Sequence, residues 1–196
     1  NAAWTHPVLY QRIEAAKRAR PGMRVVVIDP RRTASCEIAD LHLAIRPGTD
    51  AFLFVALLRH LQASGCVDRD FVSRHTEGLD AALGAAQAGA TGDVARVLGV
   101  DAAAVATFFR WFAQTERTLT FYSQGINQSA TGTDKCNAII NCHLATGRIG
   151  RPGMGPFSIT GQPNAMGGRE VGGLANQLAA HMDFTADTVA RVGRFW

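Results

Sequence analysis

The sequence predicts an α/β fold, and three observations support this prediction. Residues 23–28 form a run rich in β-branched side chains, which is typical of a strand covered on both faces in a parallel sheet. Strand-like segments then alternate with helix-like segments along the chain, which favours a parallel sheet flanked by helices. Finally, nine of the 20 glycines fall within residues 147–173. Together these features predict a parallel, Rossmann-like sheet flanked by helices and followed by an extended Gly-rich segment.

The individual elements follow from hydrophobic periodicity and from residues that start or end helices. Residues 7–20 carry apolar side chains on one side and basic ones on the other, and Pro21 ends this helix. Thr49 can cap a helix at residues 50–64 that is apolar almost all round and should therefore be buried. The other predicted elements are strands at residues 41–45 and 118–123, short helices within residues 68–87, a loop at 86–92, a helix at 101–115 and a helix at 131–146 that opens with a capping box.

The Gly-rich segment has the composition of a functional loop rather than of a flexible linker. Arginine, methionine and amide side chains, including Gln162 and Asn164, are interleaved with its glycines, whereas a flexible linker is mostly Gly and Ser. A well-packed surface loop is the alternative interpretation. The sequence therefore predicts an α/β domain at residues 1–147, followed at residues 148–196 by a Gly-rich active-site loop and a crossover toward a neighbouring domain.

Composition and charge restrict the function classes. The net charge is +4, only 18% of residues are charged, and no Lys/Arg run is interleaved with aromatic side chains. These features favour a small anionic ligand over nucleic acid. No apolar run approaches the roughly 18 residues that a membrane span needs, and residues 1–20 do not have the pattern of a signal peptide, so none is expected. The abrupt ends at Asn1 and Trp196 predict a piece of a larger protein.

The cysteines and histidines predict no metal centre inside the chain. The four cysteines include no Cys-x-x-Cys pair, and the six histidines show no metal-ligand spacing. Cys136 and Cys142 lie in a predicted helix, where small core residues are expected. His143, beside Cys142, is expected to be a structural residue. Reduced thiols in a cytoplasmic protein fit this pattern.

Polar segments follow three of the predicted strands, at residues 29–33, 48–50 and 123–129. Ligands of an open parallel sheet bind outside the carboxyl ends of its strands, so these segments should meet at one edge of the sheet. Residues 1–5 precede the first helix and would lie at the same edge if a strand came before them. We therefore expect one ligand site built from several separate turns.

The side chains of these segments have the chemistry that a dinucleotide requires. Asp29 can accept hydrogen bonds from ribose hydroxyls, and Arg31 and Arg32 can pair with phosphate. Asp50 can accept from the N1–H and 2-amino groups of guanine, and Gln124 adds an uncharged donor and acceptor. The alternative is that each aspartate only caps a helix or turn and that the arginines form a solvated surface. The segments contain no Gly-x-Gly-x-x-Gly fingerprint, so an ordinary NAD site is poorly supported.

Several motifs, in order along the whole chain, resemble one known family. They are Asn-Ala-Ala-Trp at residues 1–4, Ile-Asp-Pro-Arg-Arg-Thr at 28–33, Arg-Pro-Gly-Thr-Asp at 46–50, Tyr-Ser-Gln-Gly-Ile-Asn-Gln at 122–128 and the Gly-rich segment. The sequence resembles the molybdenum bis(molybdopterin guanine dinucleotide) oxidoreductases, the dimethyl sulfoxide reductase family. Within that family the stretch at residues 146–158 resembles the bacterial assimilatory nitrate reductases.

The resemblance implies roles for individual residues. Arg169 and Gln124 would line the substrate funnel near molybdenum, and Gln124 stands where periplasmic relatives carry methionine. The implied chemistry is oxygen-atom transfer from nitrate, which yields nitrite. No metal ligand is implied within the chain, because the molybdenum-ligating residue, the iron–sulfur cysteines and a further cofactor-binding domain would lie outside it. The residues implied to hold the pterin guanine dinucleotide are Asn1, Ala2, Ala3, Trp4, Thr5, Asp29, Pro30, Arg31, Arg32, Thr33, Gly48, Thr49, Asp50, Gln124 and Gln128.

The resemblance also implies partners for the full-length enzyme. They are nitrate as substrate, a 4Fe–4S cluster outside this chain, and an electron donor such as ferredoxin, flavodoxin or a nicotinamide-linked subunit. Two alternatives stay open. One is a formate dehydrogenase-like member, because Ile-Asp-Pro-Arg at residues 28–31 occurs in such sequences too. The other is a non-catalytic nucleotide-binding module of the same α/β type.

Overall fold

The structure, a computed structural model, describes residues 1–89, 93–159, 165–173 and 177–195. The chain forms two compact units, Asn1–Ile159 and Thr160–Trp196. The first unit contains helices α1 (Ala2–Thr5), α2 (Pro7–Ala19), α3 (Asp50–Ala63), α4 (Arg69–His75), α5 (Leu79–Gly89), α6 (Val94–Leu98), α7 (Ala102–Gln114), α8 (Gln124–Asn127) and α9 (Gly132–Ala145), a 3-10 helix (Ala34–Ile38), and strands β1 (Val26–Ile28), β2 (Leu41–Leu43), β3 (Leu119–Tyr122) and β4 (Gly155–Ser158). The second contains α10 (Ala165–Glu170), a 3-10 helix (Ala179–His181) and α11 (Ala186–Gly193).

The strands confirm a mixed α/β class with parallel pairing, but they form two separate pairs. Strand β1 pairs with β2, and β3 pairs with β4, both in parallel. The single Rossmann-like sheet that the sequence predicts is therefore not seen in the part of the chain that the structure describes. The residues of β1 are half-buried rather than covered on both faces, and among the described residues β1 has one hydrogen-bonded neighbour, β2.

Strand β4 and helix α10 lie within the Gly-rich segment, where the sequence predicts an extended chain. The Gly155 amide donates to the Thr118 carbonyl at 3.0 Å, and the Phe121 and Phe157 rings lie side by side with centroids 5.9 Å apart. Leu119, Phe121 and Phe157 are 44%, 40% and 46% exposed. The partner of Phe157 lies on β3, outside the Gly-rich segment, so the sequence of that segment does not predict the strand.

Strand β4 pairs with β3, and the first compact unit extends to Ile159. Two residues of the Gly-rich segment that the sequence analysis names, Gln162 and Asn164, lie outside the described residues. The functional roles predicted for residues 1–147 and 148–196 stay predictions.

Helix α3 forms the centre of the hydrophobic core of the first unit and packs against α5, α6, α7 and α9. Thr49 precedes its first turn, as predicted. Gly65 follows the end of the helix with a φ of 69°. The Thr49 hydroxyl donates to the Arg46 carbonyl at 2.7 Å instead of capping an amide of the helix. The predicted burial is confirmed for Leu53, Phe54, Ala56, Leu57, Leu58 and Leu61.

Helix α7 supplies the aromatic part of the core. The Asp101 carboxylate accepts from the Ala103 amide at 3.4 Å at the start of the helix. The rings of Phe54 and Phe108 meet edge to face with centroids 6.3 Å apart, which is a favoured aromatic geometry. The inner face of this helix, which the sequence predicts at residues 101–115, buries four side chains, namely Val105, Phe108, Phe109 and Phe112.

Helix α5 continues to Gly89, so the loop predicted at residues 86–92 is wrong for residues 86–89. Ala86 is 3% exposed and belongs to the core. Alanine is the strongest helix former. The burial of Ala86 in the core therefore offsets the low helix propensity of Gly89. Residues 90–92 lie outside the described residues.

Helix α9 confirms part of what the sequence predicts for it. Cys142 is fully buried, and burial raises the pKa of its thiol. Cys136, also expected in the core, is only half-buried. Thr131 precedes the first turn as predicted, but its side chain makes no capping hydrogen bond to the described helix, so the capping box does not form.

His143 on α9 is fully buried among structural partners. Its Nε2 lies 2.8 Å from Oγ1 of Thr120 on β3, and its Nδ1 lies 3.3 Å from the Arg148 carbonyl oxygen. The Arg148 guanidinium donates to the carbonyl oxygens of Phe112 and Ala113 at 2.5 and 2.9 Å, and so satisfies acceptors at the end of α7. These contacts support the structural role predicted for His143.

The burial of His143 predicts a pH-dependent stability. Burial lowers the pKa of His143 from 6.5 to about 4, the hydrogen bond with the Arg148 carbonyl opposes this shift, and the Arg148 charge adds to it. As the pH falls, the unfolded chain binds this proton first. Protonation of His143 therefore leaves the free energy of unfolding unchanged above about pH 6.5. Between about pH 6.5 and about pH 4 it lowers the free energy of unfolding by roughly 3 kcal/mol.

Urea unfolding at about pH 7.5 and about pH 4.5 measures this loss. Carboxylates also titrate in this range, so the comparison is with His143→Gln, which cannot take up the proton. The variant should be less stable at neutral pH but should lose less stability on acidification. The same pH dependence in both proteins would contradict the prediction.

The second unit is built from α10 and α11. The Gly172 amide donates to the Arg169 carbonyl at 3.0 Å at the end of α10. A Cβ on Gly172 would lie 2.6 Å from the Ala179 amide nitrogen, so this close approach requires glycine. Thr185 begins α11 by accepting from the Thr188 amide at 3.4 Å. Every helix in the described ranges is too short or too polar to cross a membrane.

Candidate functional site

The N-terminal segment, residues 1–5, lies against the polypeptide that follows β1. Ser35 accepts a hydrogen bond from the Ala3 amide at 3.0 Å, and its hydroxyl donates to Oδ1 of Asn1 at 3.0 Å. Ser35 is buried, whereas Trp4 is 77% exposed. The sequence analysis missed Ser35, whose only signal is a hydroxyl just beyond the predicted segment 29–33. Ser35 thus joins two of the predicted segments.

Segment 29–33 uses its aspartate within its own turn. Oδ1 of Asp29 accepts from the Arg31 amide at 2.8 Å, which is the turn-capping role that the sequence left as an alternative. Arg31 and Arg32 are exposed. The Thr33 hydroxyl oxygen is buried and has no hydrogen-bond partner among the described residues. A buried polar atom of this kind calls for an explanation, and a bound ligand would supply one.

Segment 48–50 connects β2 with α3. Gly48 has a φ of 84°, a backbone conformation that favours glycine. In the first turn of α3, Oδ2 of Asp50 lies 3.0 Å from Nζ of Lys135 on α9, and the two side chains are 23% and 9% exposed. The sequence analysis missed Lys135, because no local pattern relates two residues so far apart in the chain. A carboxylate can accept several hydrogen bonds, so Asp50 keeps capacity for a ligand.

The short helix α8 carries Gln124 at its start, and Gln128 follows its end. Asn127 fixes this helix to two neighbouring elements. Its Nδ2 donates to Oγ of Ser158 on β4 at 2.7 Å, and its Oδ1 accepts from Sγ of Cys136 on α9 at 3.3 Å. The two predicted glutamines therefore lie on a helical turn held between β4 and α9.

Gly132 lets α8 and α9 approach closely, which provides a test of this packing. A Cβ at Gly132 would lie 2.2 Å from the Asn127 carbonyl oxygen. We expect Gly132→Ala to displace α8 and to lower the free energy of unfolding by about 1–3 kcal/mol. Urea unfolding measures the change. Gly125→Ala is the matched control, because its Cβ would meet open space; equal destabilisation by both variants would argue against this packing.

The contacts arrange the predicted segments in two groups. The N-terminal segment and the segment after β1 meet through Ser35. The segment before α3 and helix α8 both contact α9, through Lys135 and Cys136. Nε2 of His42 on β2 lies 2.8 Å from the Asp29 carbonyl oxygen and ties β2 to the segment after β1. Three of the four segments follow the carboxyl ends of β1, β2 and β3, as predicted. Because these strands form two separate pairs, the single sheet edge at which the segments were expected to meet is not seen among the described residues.

Arg169 belongs to the second unit, in the last turn of α10, and its side chain is exposed. Its carbonyl oxygen accepts from Nε2 of Gln177 at 3.1 Å. The neighbouring Glu170 lies 2.6 Å from His181, whereas the Arg169 guanidinium forms no ion pair within the described ranges. The roles of Arg169 and Gln124 toward a substrate stay predictions.

Metal sites and cavities add no further candidate residues. The described residues contain no group of three or more His, Cys, Asp or Glu side chains that could hold a metal ion. Two open cavities of about 380 and 350 Å³ lie in the first unit. Neither is lined by residues predicted to bind the cofactor; the larger is formed by His6, Pro7, Val8, Leu9 and Arg12.

Comparison with known families identifies the chain. The family model described as "Molybdopterin oxidoreductase" matches residues 1–192. The chain belongs to the molybdopterin oxidoreductase family. This membership confirms the resemblance seen in the sequence motifs, and the family implies a molybdenum–pterin cofactor.

Relatives of the molybdopterin oxidoreductase chain include several nitrate reductases. A nitrate reductase from Klebsiella oxytoca is 59% identical over 196 residues, which is 100% of this chain and 22% of the relative. An assimilatory nitrate reductase from Haloferax mediterranei is 38% identical over 86% of this chain and 23% of the relative. The chain therefore spans about a fifth of the length of these relatives.

One solved structure is also similar to this chain. Acetylene hydratase from Pelobacter acetylenicus aligns with a TM-score of 0.57 and 27% sequence identity. The alignment covers 73% of this chain and 20% of that protein.

Proposed function

We propose that this chain is the cofactor-binding part of an assimilatory nitrate reductase, which in its full-length form reduces nitrate to nitrite by oxygen-atom transfer. The observation that carries this proposal is the 59% identity to a nitrate reductase across the whole chain. Residues 1–147 would bind the cofactor, and residues 148–196 would form the active-site loop and the crossover to a neighbouring domain. The activity belongs to the full-length enzyme.

The proposed cofactor is molybdenum bis(molybdopterin guanine dinucleotide), and side chains of the first unit fit its pyrophosphate and guanine. The exposed guanidiniums of Arg31 and Arg32 can donate to phosphate oxygens. The buried Thr33 hydroxyl has no partner among the described residues, and a hydrogen bond to the cofactor would satisfy it. Asp50 would accept from guanine. The bound group would supply the electrons and the oxygen acceptor for nitrate reduction.

The other predicted residues would complete this site. Ser35 holds Asn1 and Ala3 beside the segment after β1, so the segment of residues 1–5 would contact the same dinucleotide. Gln128 would donate and accept from its position after α8. Each of these residues would bind or orient the cofactor rather than take part in the chemistry.

The proposed substrate contact is Arg169, and Gln124 is proposed as a second residue that faces the substrate. A guanidinium suits nitrate because its planar fork can donate to two oxygens while its charge attracts the anion. The absence of an ion pair to Arg169 within the described ranges leaves its charge available. Gln124 would add an uncharged side chain in place of methionine.

The full-length enzyme would need partners beyond this chain. We propose a cytoplasmic enzyme with a 4Fe–4S cluster bound outside these residues. The electron donor would be ferredoxin, flavodoxin or a nicotinamide-linked subunit. Nitrate would be the substrate, without nucleic acid or membrane partners.

The full-length enzyme provides the test. It should contain molybdenum and should release GMP from its cofactor on acid hydrolysis. It should also reduce nitrate to nitrite with a chemical electron donor. Formate oxidation without nitrate reduction would replace the proposal with the formate dehydrogenase-like alternative. A full-length protein without molybdenum or pterin would favour the non-catalytic module instead.

A further inference from the structure

Lys135 is a charged side chain with unused hydrogen-bonding capacity in a largely buried position. Its side chain is 9% exposed, and its Nζ lies 3.0 Å from Oδ2 of Asp50. An ammonium has three N–H donors, and Asp50 is its one polar side-chain contact among the described residues. Its backbone amide donates to the Thr131 carbonyl at 3.0 Å, so the first turn of α9 fixes the residue. Two donors are therefore left for a bound group.

The donors and acceptors of this pair match one edge of guanine. Guanine presents the O6 acceptor beside the N1–H and 2-amino donors, whereas adenine presents a 6-amino donor and an N1 acceptor in the corresponding positions. The Asp50 carboxylate can accept from both guanine donors, and the Lys135 ammonium can donate to O6. The same pair would meet adenine with an ammonium facing an amino group, which is repulsive.

We propose that Lys135 is a specificity-determining residue that donates to guanine O6 while Asp50 accepts from N1–H and the 2-amino group. This inference rests on the proposed guanine dinucleotide cofactor. It adds a direct ligand contact on α9, an element that none of the predicted cofactor residues belongs to. The ion pair holds both side chains in place for the base before it binds.

The alternative is that the pair only joins α3 to α9. A purely structural pair would affect stability without affecting the choice of base. IMP separates the two cases within the site, because it keeps O6 and N1–H but lacks the 2-amino group. Loss of the Lys135 contact should weaken GMP and IMP by the same factor, whereas loss of Asp50 should reduce the preference for GMP over IMP.

The experiment measures the affinities of GMP, IMP and AMP by calorimetry for the full-length enzyme prepared without cofactor. The wild-type enzyme should prefer GMP to AMP. Lys135→Met should weaken GMP and IMP binding by about 10-fold each, as expected for loss of one charge-assisted hydrogen bond. Lys135→Arg should keep most of the affinity, because it keeps a charged donor. Melting temperatures of the nucleotide-free proteins report on folding.

Lys17→Met is the matched control. Lys17 forms an ion pair with Asp40 at 2.5 Å in the same unit, and its loss should leave all three affinities unchanged. If Lys135→Met does not fold, Lys135→Gln serves instead and should also weaken GMP and IMP together. Unchanged GMP affinity in the folded Lys135 variants, or a wild-type enzyme that does not distinguish GMP from AMP, would overturn the inference. Nitrate reduction and molybdenum content of the wild-type enzyme test the proposed function separately.

Discussion

Replacing Arg169 by alanine in the full-length enzyme should lower kcat/KM for nitrate on the order of 100-fold, while the molybdenum content stays near that of the wild type. The guanidinium is proposed to donate two charge-assisted hydrogen bonds to nitrate, and each such bond contributes about a factor of ten or more. The fold should tolerate the change, because Arg169 is exposed in the last turn of α10. Steady-state kinetics and metal analysis of the same preparation measure both quantities.

Two further variants separate the fork geometry from the charge. Arg169→Lys keeps the charge but loses the planar fork, so its kcat/KM should lie between those of the wild type and Arg169→Ala. Arg191→Ala removes another arginine of the second unit, on α11, and should leave kcat/KM unchanged. Full activity of Arg169→Ala, or loss of molybdenum in that variant, would contradict the proposed substrate contact.

Asp50→Ala should instead lower the cofactor content of the full-length enzyme. The change removes the acceptor for guanine and leaves the Lys135 ammonium largely buried without its partner, which is costly. We expect the molybdenum and GMP content per polypeptide to fall by about 10-fold or more, since loss of a hydrogen bond to a charged group has at least this effect. Metal analysis and nucleotide release by acid hydrolysis measure the loss.

The double variant Asp50→Ala with Lys135→Met shows which cause dominates. It removes both charges, so no ammonium is left unpaired and the melting temperature of the cofactor-free protein should recover toward that of the wild type. The cofactor content should stay low, because neither group can contact guanine. A double variant with normal molybdenum and GMP would show that this pair serves the fold and not the cofactor.

Local signals predict the helices of the core well. Helix α3 is apolar almost all round and is buried as expected, and Asp101 and the phenylalanines of α7 mark the start and the inner face of that helix. Such patterns repeat within one or two turns and need no knowledge of the rest of the chain. The loop predicted from Ala86 onward is wrong for residues 86–89, because Ala86 packs in the core and α5 continues to Gly89.

Features made by distant residues are the ones that the sequence does not reveal. Three strand-end segments are found as predicted, but the partners that hold them, Ser35 and Lys135, come from other parts of the chain. Strand β4 exists because Phe157 and its neighbours pair with β3, and nothing within residues 147–173 alone signals that pairing. Helix propensity and turn chemistry are local, whereas strand pairing and buried ion pairs depend on the tertiary fold.

The half-exposed aromatic side chains of β3 and β4 affect how this polypeptide has to be handled. Leu119, Phe121 and Phe157 give the pair an apolar surface, and each strand has an unpaired edge among the described residues. Unpaired strand edges beside apolar surfaces form hydrogen bonds and apolar contacts with other copies of the same chain, which leads to aggregation. Produced alone at high concentration, these 196 residues would tend to precipitate. Purification is therefore best attempted on the full-length protein.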